Sequence, residues 1–150
     1  MNQFNKILLT LAAMVALALA PFPTPSQAAD QALRVIVHPS NTLEQIDRET
    51  LGRIFLKKEE RFPSGMKAEP VEIVERTALY EVYVEQIHQS SESRLRRYWV
   101  DKMFSGEMMK PRQLGNEDDI VEYVAGNPAA VSVVGDNVRL EGVKQIMVVP

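Results

Sequence analysis

The chain of 150 residues contains no cysteine. That excludes disulfides, cysteine-ligated zinc and iron–sulfur clusters, and it excludes a thioether-linked lipid near the N-terminus. Histidine is almost as scarce, with two residues, His38 and His88. Neither belongs to a serine-hydrolase or metalloprotease pattern, and Ser64-Gly65 and Ser105-Gly106 lack a G-x-S-x-G context. A turn residue and a helix-end residue are the simplest readings of the two histidines. Positive charge is not in excess either. The net charge of −3 runs against a general nucleic-acid binder. Glycine-rich phosphate loops and EF-hand spacing are both missing. No cofactor, no metal and no catalytic residues are expected, and the chain is read as a non-enzyme.

Long apolar runs are missing apart from one. Met1–Lys6 carries a single positive charge, and Ile7–Ala20 is a run of 14 residues interrupted only by Thr10. Pro21-Phe22-Pro23-Thr24-Pro25 follows, and then Ser26-Gln27-Ala28-Ala29. A charged start, a short apolar core and small residues at the −3 and −1 positions (Ser26 and Ala28) make a signal peptide over 1–28. Fourteen residues are too few to span ~30 Å of hydrocarbon as a helix. The expected product is 29–150, one domain, exported to a periplasm, soluble and without a lipid anchor. Its 122 residues carry 16 basic and 20 acidic side chains. It must hold together by core packing alone, which this length permits.

The whole chain is 45% apolar and reads as globular. Strands are predicted at Leu33–Val37, Val71–Val74, Ala129–Val134 and Val143–Val149, the last two separated by a Gly135-Asp136-Asn137 turn. A helix with Asp47 as N-cap carries Leu51, Ile54 and Phe55 on its inner face. Further helices are predicted at Ala78–His88, at Glu92–Phe104 with Ser91 as cap, and at Glu117–Ala125 with Asn116 as cap. In the second of these, Leu95, Trp99 and Met103 repeat at four-residue spacing. Gly106 ends that helix as the residue best suited to a left-handed conformation. Strands interleaved with helices give an α/β lobe with a small mixed or parallel sheet of about four strands.

Three polar clusters compete for a function. Glu75-Arg76-Thr77 stands where a strand ends and a helix begins. There free backbone N–H groups favour an anion, with Arg76 as a bidentate partner and Thr77 as a hydroxyl donor. The structural alternative is that Thr77 caps the helix and Arg76 pairs with Glu75 or a neighbour. Arg94, Arg96 and Arg97 beside Tyr98 and Trp99 form either a nucleic-acid or acidic-partner surface or a solvated helix face. Export and net acidity favour the solvated face. Glu117-Asp118-Asp119 is either a cation site or first-turn charge favoured by the helix dipole.

Taken in order, a series of segments resembles the phosphate ABC transporter substrate-binding proteins, in particular their short, single-domain PstS-like relatives. The segments are the strand ending in Pro39-Ser40-Asn41, Leu51-Gly52-Arg53-Ile54-Phe55-Leu56-Lys57-Lys58, Phe62-Pro63-Ser64-Gly65, and the strand reaching Arg76. Leu95-Arg96-Arg97-Tyr98-Trp99, Phe104-Ser105-Gly106 and Val124-Ala125-Gly126-Asn127-Pro128-Ala129-Ala130-Val131 complete the series. The resemblance implies a type 2 periplasmic-binding-protein fold. Full members of that family use two lobes to close on phosphate, with backbone N–H groups and an arginine holding the anion. It implies phosphate or a related oxyanion as ligand, with Arg76 and Thr77 as first contacts and Ser40 and Asn41 as secondary ones. An ABC permease or a membrane sensor is the implied partner.

The chain departs from that pattern at several places. Thr77-Ala78-Leu79-Tyr80 replaces the Ser-Gly-Thr segment after the arginine, and Lys57 replaces a glycine. Phe62 stands for a tryptophan, and Ser132-Val133 for a Gly-Tyr pair. A side chain in place of glycine obstructs close approach of backbone to an anion. The alternative function is therefore a single-lobe interaction or sensor module that has lost anion binding. A homodimer rebuilding a two-lobed cleft would reconcile the two.

Overall fold

The computed structural model describes residues 32–150; the signal peptide expected over 1–28 lies outside the described residues. The order of elements is β1 (Leu33–Val37), β2 (Gln45–Asp47), α1 (Arg48–Phe55), β3 (Glu69–Ile73), α2 (Ala78–His88) and α3 (Glu92–Phe104), followed by β4 (Arg112–Leu114), α4 (Glu117–Gly126), β5 (Ala130–Gly135) and β6 (Lys144–Val149). The strands form one mixed sheet in the order β2-β6-β1-β5-β3-β4. β1 is antiparallel to both β5 and β6, whereas β2/β6, β3/β5 and β3/β4 are parallel pairs. This is the expected α/β lobe with a mixed sheet.

All six residues of β5, Ala-Val-Ser-Val-Val-Gly, are buried. A strand buried on both faces needs cover on both, which is why its sequence reads as a continuous apolar run rather than an alternation. Ser132 keeps its place there because its hydroxyl donates to the Val71 carbonyl at 2.6 Å. Ile36, Val37, Val131, Val133 and Val134 from the central strands share one core with Leu51, Ile54, Phe55, Tyr83, Trp99, Ile120 and Val124 from the helices, each 1% exposed or less.

The helix termini follow local chemistry. The Asp47 carboxylate accepts from the Thr50 amide at 2.7 Å, and that bond holds its pKa below the usual value. Thr77 and Asn116 cap α2 and α4 in the same way. Ser91 stands at the N-cap of α3, but its hydroxyl makes no cap bond and pairs with Ser93 at 3.1 Å instead. Gly106 takes φ +72 after α3, as expected. Met103 departs from its predicted stripe: Leu95 and Trp99 are buried, yet Met103 is 52% exposed because the last turn of α3 runs past the core.

The sheet has six strands where about four were expected. The additions, β2 and β4, are three-residue, largely polar edge strands. Three residues are too few to display a period, and pairing with β6 and β3 is what makes them strands.

Lys57 follows α1 in the left-handed region at φ +53, and its amide bonds the Ile54 carbonyl at 2.9 Å. Glycine adopts that conformation without the steric cost that a Cβ brings. Lys57→Gly is expected to stabilise the protein by about 0.5–1 kcal/mol, read as a raised urea midpoint. An unchanged or lowered midpoint would show that this helix end is not strained.

Candidate functional site

β3 delivers the chain through Val74-Glu75-Arg76 to the start of α2. The Val74 amide continues the sheet by bonding the Leu114 carbonyl at 3.0 Å. Arg76 then adopts φ +68, a conformation uncommon for a non-glycine residue and found disproportionately at ligand-binding positions. Thr77 uses both halves of its hydroxyl locally. Its Oγ1 accepts from the Tyr80 amide at 3.1 Å and donates to the Val74 carbonyl at 3.2 Å. With Tyr80 capped, the amides of Ala78 and Leu79 remain without an intrahelical partner at the positive end of the helix.

Arg76 does not pair with Glu75. Glu75 accepts from Lys110 Nζ, and Arg96 Nε lies 3.6 Å from its other oxygen. The bond from Lys110, aided by Arg96 and Arg76, holds the Glu75 carboxyl below the usual range. Arg96 also lies 3.8 Å from Glu92 one turn earlier in α3. Lys110 and Arg96 thus take up Glu75 and Glu92. Among the described residues the Arg76 guanidinium makes no hydrogen bond or ion pair, and it is exposed. The guanidinium left unpaired is therefore the one standing at the free amides. Lys110 and Arg96 were not foreseen as part of this arrangement. Only the charge of the Arg94–Arg97 run hinted at it, while Arg94 and Arg97 themselves are exposed on α3.

Ser40 and Asn41 lie elsewhere. β1 runs antiparallel to β5, pairing Val37 with Val131 and Leu33 with Gly135. β3 runs parallel to β5, pairing Glu69 with Ala130. The turn after β1 and the start of α2 are therefore at opposite ends of the sheet, about 15 Å apart at ~3.3 Å per residue. Ser40 Oγ meets His38 Nδ1 at 2.7 Å. Asn41 is 2% exposed; its Oδ1 accepts from the Leu43 amide at 3.0 Å, and its carbonyl accepts from Lys144 at 3.2 Å. Arg76 and Thr77 come together; Ser40 and Asn41 do not join them.

The end of β5, beside β3, is closed by the protein's own groups. The Gly135 amide donates to Glu117 Oε2 at 2.6 Å. The Gly135 carbonyl accepts from Arg34 Nη2 at 2.7 Å. Glu117 thus serves as an internal anion. Asp119 is tied to Asn116 through both its amide and its carboxylate. No cluster of potential metal ligands occurs among the described residues, and no described helix is long and apolar enough to cross a membrane.

No family model matches the chain, and no curated protein matches it. Solved structures do. An ABC-type phosphate transport receptor from Vibrio cholerae superposes with a TM-score of 0.62 at 13% identity, over 79% of this chain and 46% of the receptor. A structure from Clostridium perfringens, described as a phosphate ABC transporter substrate-binding protein with bound phosphate, gives 0.62 at 12% identity, over 79% and 45%. PstS from Borrelia burgdorferi gives 0.59 at 14%, over 79% and 47%. The chain spans a little under half the length of each of these proteins. At this identity the likeness is one of fold, and this chain has the fold of a single α/β lobe of the PstS-type phosphate-binding proteins.

Proposed function

We propose that this protein binds phosphate or a related oxyanion in the periplasm, as a single-lobe component linked to ABC transport of phosphate. The observation that carries the reading is Arg76: exposed, with no hydrogen bond or ion pair among the described residues, held at φ +68 directly before the free amides of α2. The anion would sit on the Ala78 and Leu79 amides and take two hydrogen bonds from the Arg76 guanidinium. Thr77 contributes by capping the helix, which keeps the other amides pointed outward. The role is binding and not catalysis. The phosphate in the Clostridium perfringens relative supports the choice of anion.

Titration calorimetry with phosphate and sulfate tests this. Phosphate is expected to bind, and Arg76→Gln to weaken it about tenfold to a hundredfold, the worth of a charge-assisted hydrogen bond. Absence of heat with millimolar phosphate and folded protein would sink the proposal.

A second reading is a single-lobe interaction or sensor module docking on a permease or membrane sensor. It is favoured by a run of exposed apolar side chains at the end of α3 and beyond, with Met103 52%, Phe104 90% and Met109 78% exposed. Isolated exposed apolar residues are ordinary, but a contiguous group marks contact surfaces. Recovery of a membrane partner by the parent and not by Phe104→Ser, with no response to phosphate, would decide for this reading. Light scattering checks whether a homodimer supplies the second lobe.

A further inference from the structure

A cleft of about 470 Å³ opens between α1 and the C-terminal end of α2, lined among others by Arg48, Glu49, Gly52, Arg53 and His88. It is separate from the start of α2, which lies a helix length away, about 16 Å at 1.5 Å per residue. Arg48 and Arg53 make no hydrogen bond or ion pair among the described residues. Gly52, between them on the same helix, lacks the side chain that would cover the floor. A Cβ there would sit 3.8 Å from His88 Nδ1.

His88 is held from behind. Its Nε2 lies 2.8 Å from the Tyr83 hydroxyl, which in turn donates to Glu72 Oε1 at 2.8 Å. A hydroxyl has one proton to give. While Glu72 is ionised, Tyr83 spends that proton on the carboxylate, so His88 must donate from Nε2. The neutral ring then turns a bare lone pair at Nδ1 toward Gly52, and Nδ1 makes no bond among the described residues. Burial keeps the ring neutral, lowering its pKa to about 4. The cleft thus offers two unpaired guanidinium groups, which suit a carboxylate, and one acceptor, which needs a donor.

We propose that this cleft binds a small carboxylate carrying a hydrogen-bond donor on the neighbouring carbon, a 2-hydroxy or 2-amino acid, with the carboxylate on Arg48 and Arg53 and the donor on His88 Nδ1. Glu49 at the rim adds attraction for an ammonium donor and thereby separates the two kinds of acid.

NMR titration of the protein at pH 8 with lactate, alanine, acetate and phosphate tests the assignment. Lactate or alanine is expected to shift the amide resonances of Gly52 and His88 saturably. Acetate, which lacks the donor, should bind about tenfold more weakly. Phosphate should act on Ala78 and Leu79 and leave Gly52 in place, so failure here and failure of the oxyanion reading are distinguishable. The pair Arg48→Gln with Arg53→Gln should abolish the response. Gly52→Ala should weaken it while keeping or raising the melting temperature, because alanine favours a helix interior and its methyl meets only ordinary contacts. The proposal is overturned if neither lactate nor alanine gives a saturable shift at Gly52 and His88 by roughly 10 mM. It is equally overturned if acetate binds as tightly as both, or if the arginine variant binds unchanged.

Discussion

Glu72→Gln is expected to stabilise the protein by about 2–3 kcal/mol at pH 8 and by under about 1 kcal/mol at pH 5. Glu72 is 1% exposed in the middle of β3. Its nearest partner is the Tyr83 hydroxyl, with Gln113 Nε2 more distant at 3.4 Å. Desolvation dominates these bonds and the attraction of Lys110, and the carboxyl is pushed up from 4.5 to about 7. The unfolded chain ionises near 4.5 and the folded one only near 7. The contribution of Glu72 is therefore fully present below pH 4.5 and is lost as pH rises through 7. Glutamine keeps an acceptor for Tyr83 without the buried charge. His88 acts with the opposite sign: lowered from 6.5 to about 4, it supports the fold above pH 6.5 and loses that support as pH falls through 4. The parent should vary little between pH 5 and 6.5, because the two slopes oppose. Urea denaturation at the two pH values measures the difference. Destabilisation by glutamine at pH 8 would mean that the bond from Tyr83 outweighs the cost of burying the charge.

Trp99→Ala is expected to cost about 3–5 kcal/mol, a large part of the ~5–15 kcal/mol that holds a domain together. Trp99 is 1% exposed and packs edge-on against Tyr98 with ring centroids 5.0 Å apart. The Tyr98 hydroxyl donates to the Leu56 carbonyl at 3.2 Å, so the pair ties α3 to the end of α1. The indole N–H is buried without an acceptor among the described residues. Trp99→Phe should therefore cost only about 1–2 kcal/mol, because lost volume is offset by returning that N–H to water. Trp99 is the single tryptophan, so both variants are followed by circular dichroism and not by fluorescence. Equal losses for phenylalanine and alanine would show that the N–H has a partner after all.

The helices were the legible part of the fold. The bounds of α2 and α3 agree with the prediction because apolar spacing and flanking polar residues point the same way. The strands were placed to within about two residues, since β-branched runs end at turn residues. Strand direction was not legible: nothing within Leu33–Val37 or Ala130–Gly135 says that they pair antiparallel. That pairing is what sends Ser40 and Asn41 to the opposite end of the sheet from Arg76 and Thr77. The strand-to-helix junction at Arg76 and the capping role of Thr77 were legible. The junction's surroundings were not, because Glu75 finds Lys110 across 35 residues. The relay from Glu72 through Tyr83 to His88 was not legible either. Tyr83 and His88 lie five residues apart on α2, but their joint burial against Glu72 depends on how α2 sits on β3.

Both neighbours of β1 in the sheet, β5 and β6, come from residues 130–149. The first strand described has no partner until about a hundred residues have followed it. Topologies dominated by such distant pairings close slowly, on the millisecond-to-second scale, because the entropy of the intervening loop is lost before contacts compensate. A nascent chain of this kind stays open throughout its synthesis. The core of such a lobe can close only once β5 and β6 have both been made, so its assembly is the last event of folding and not the first.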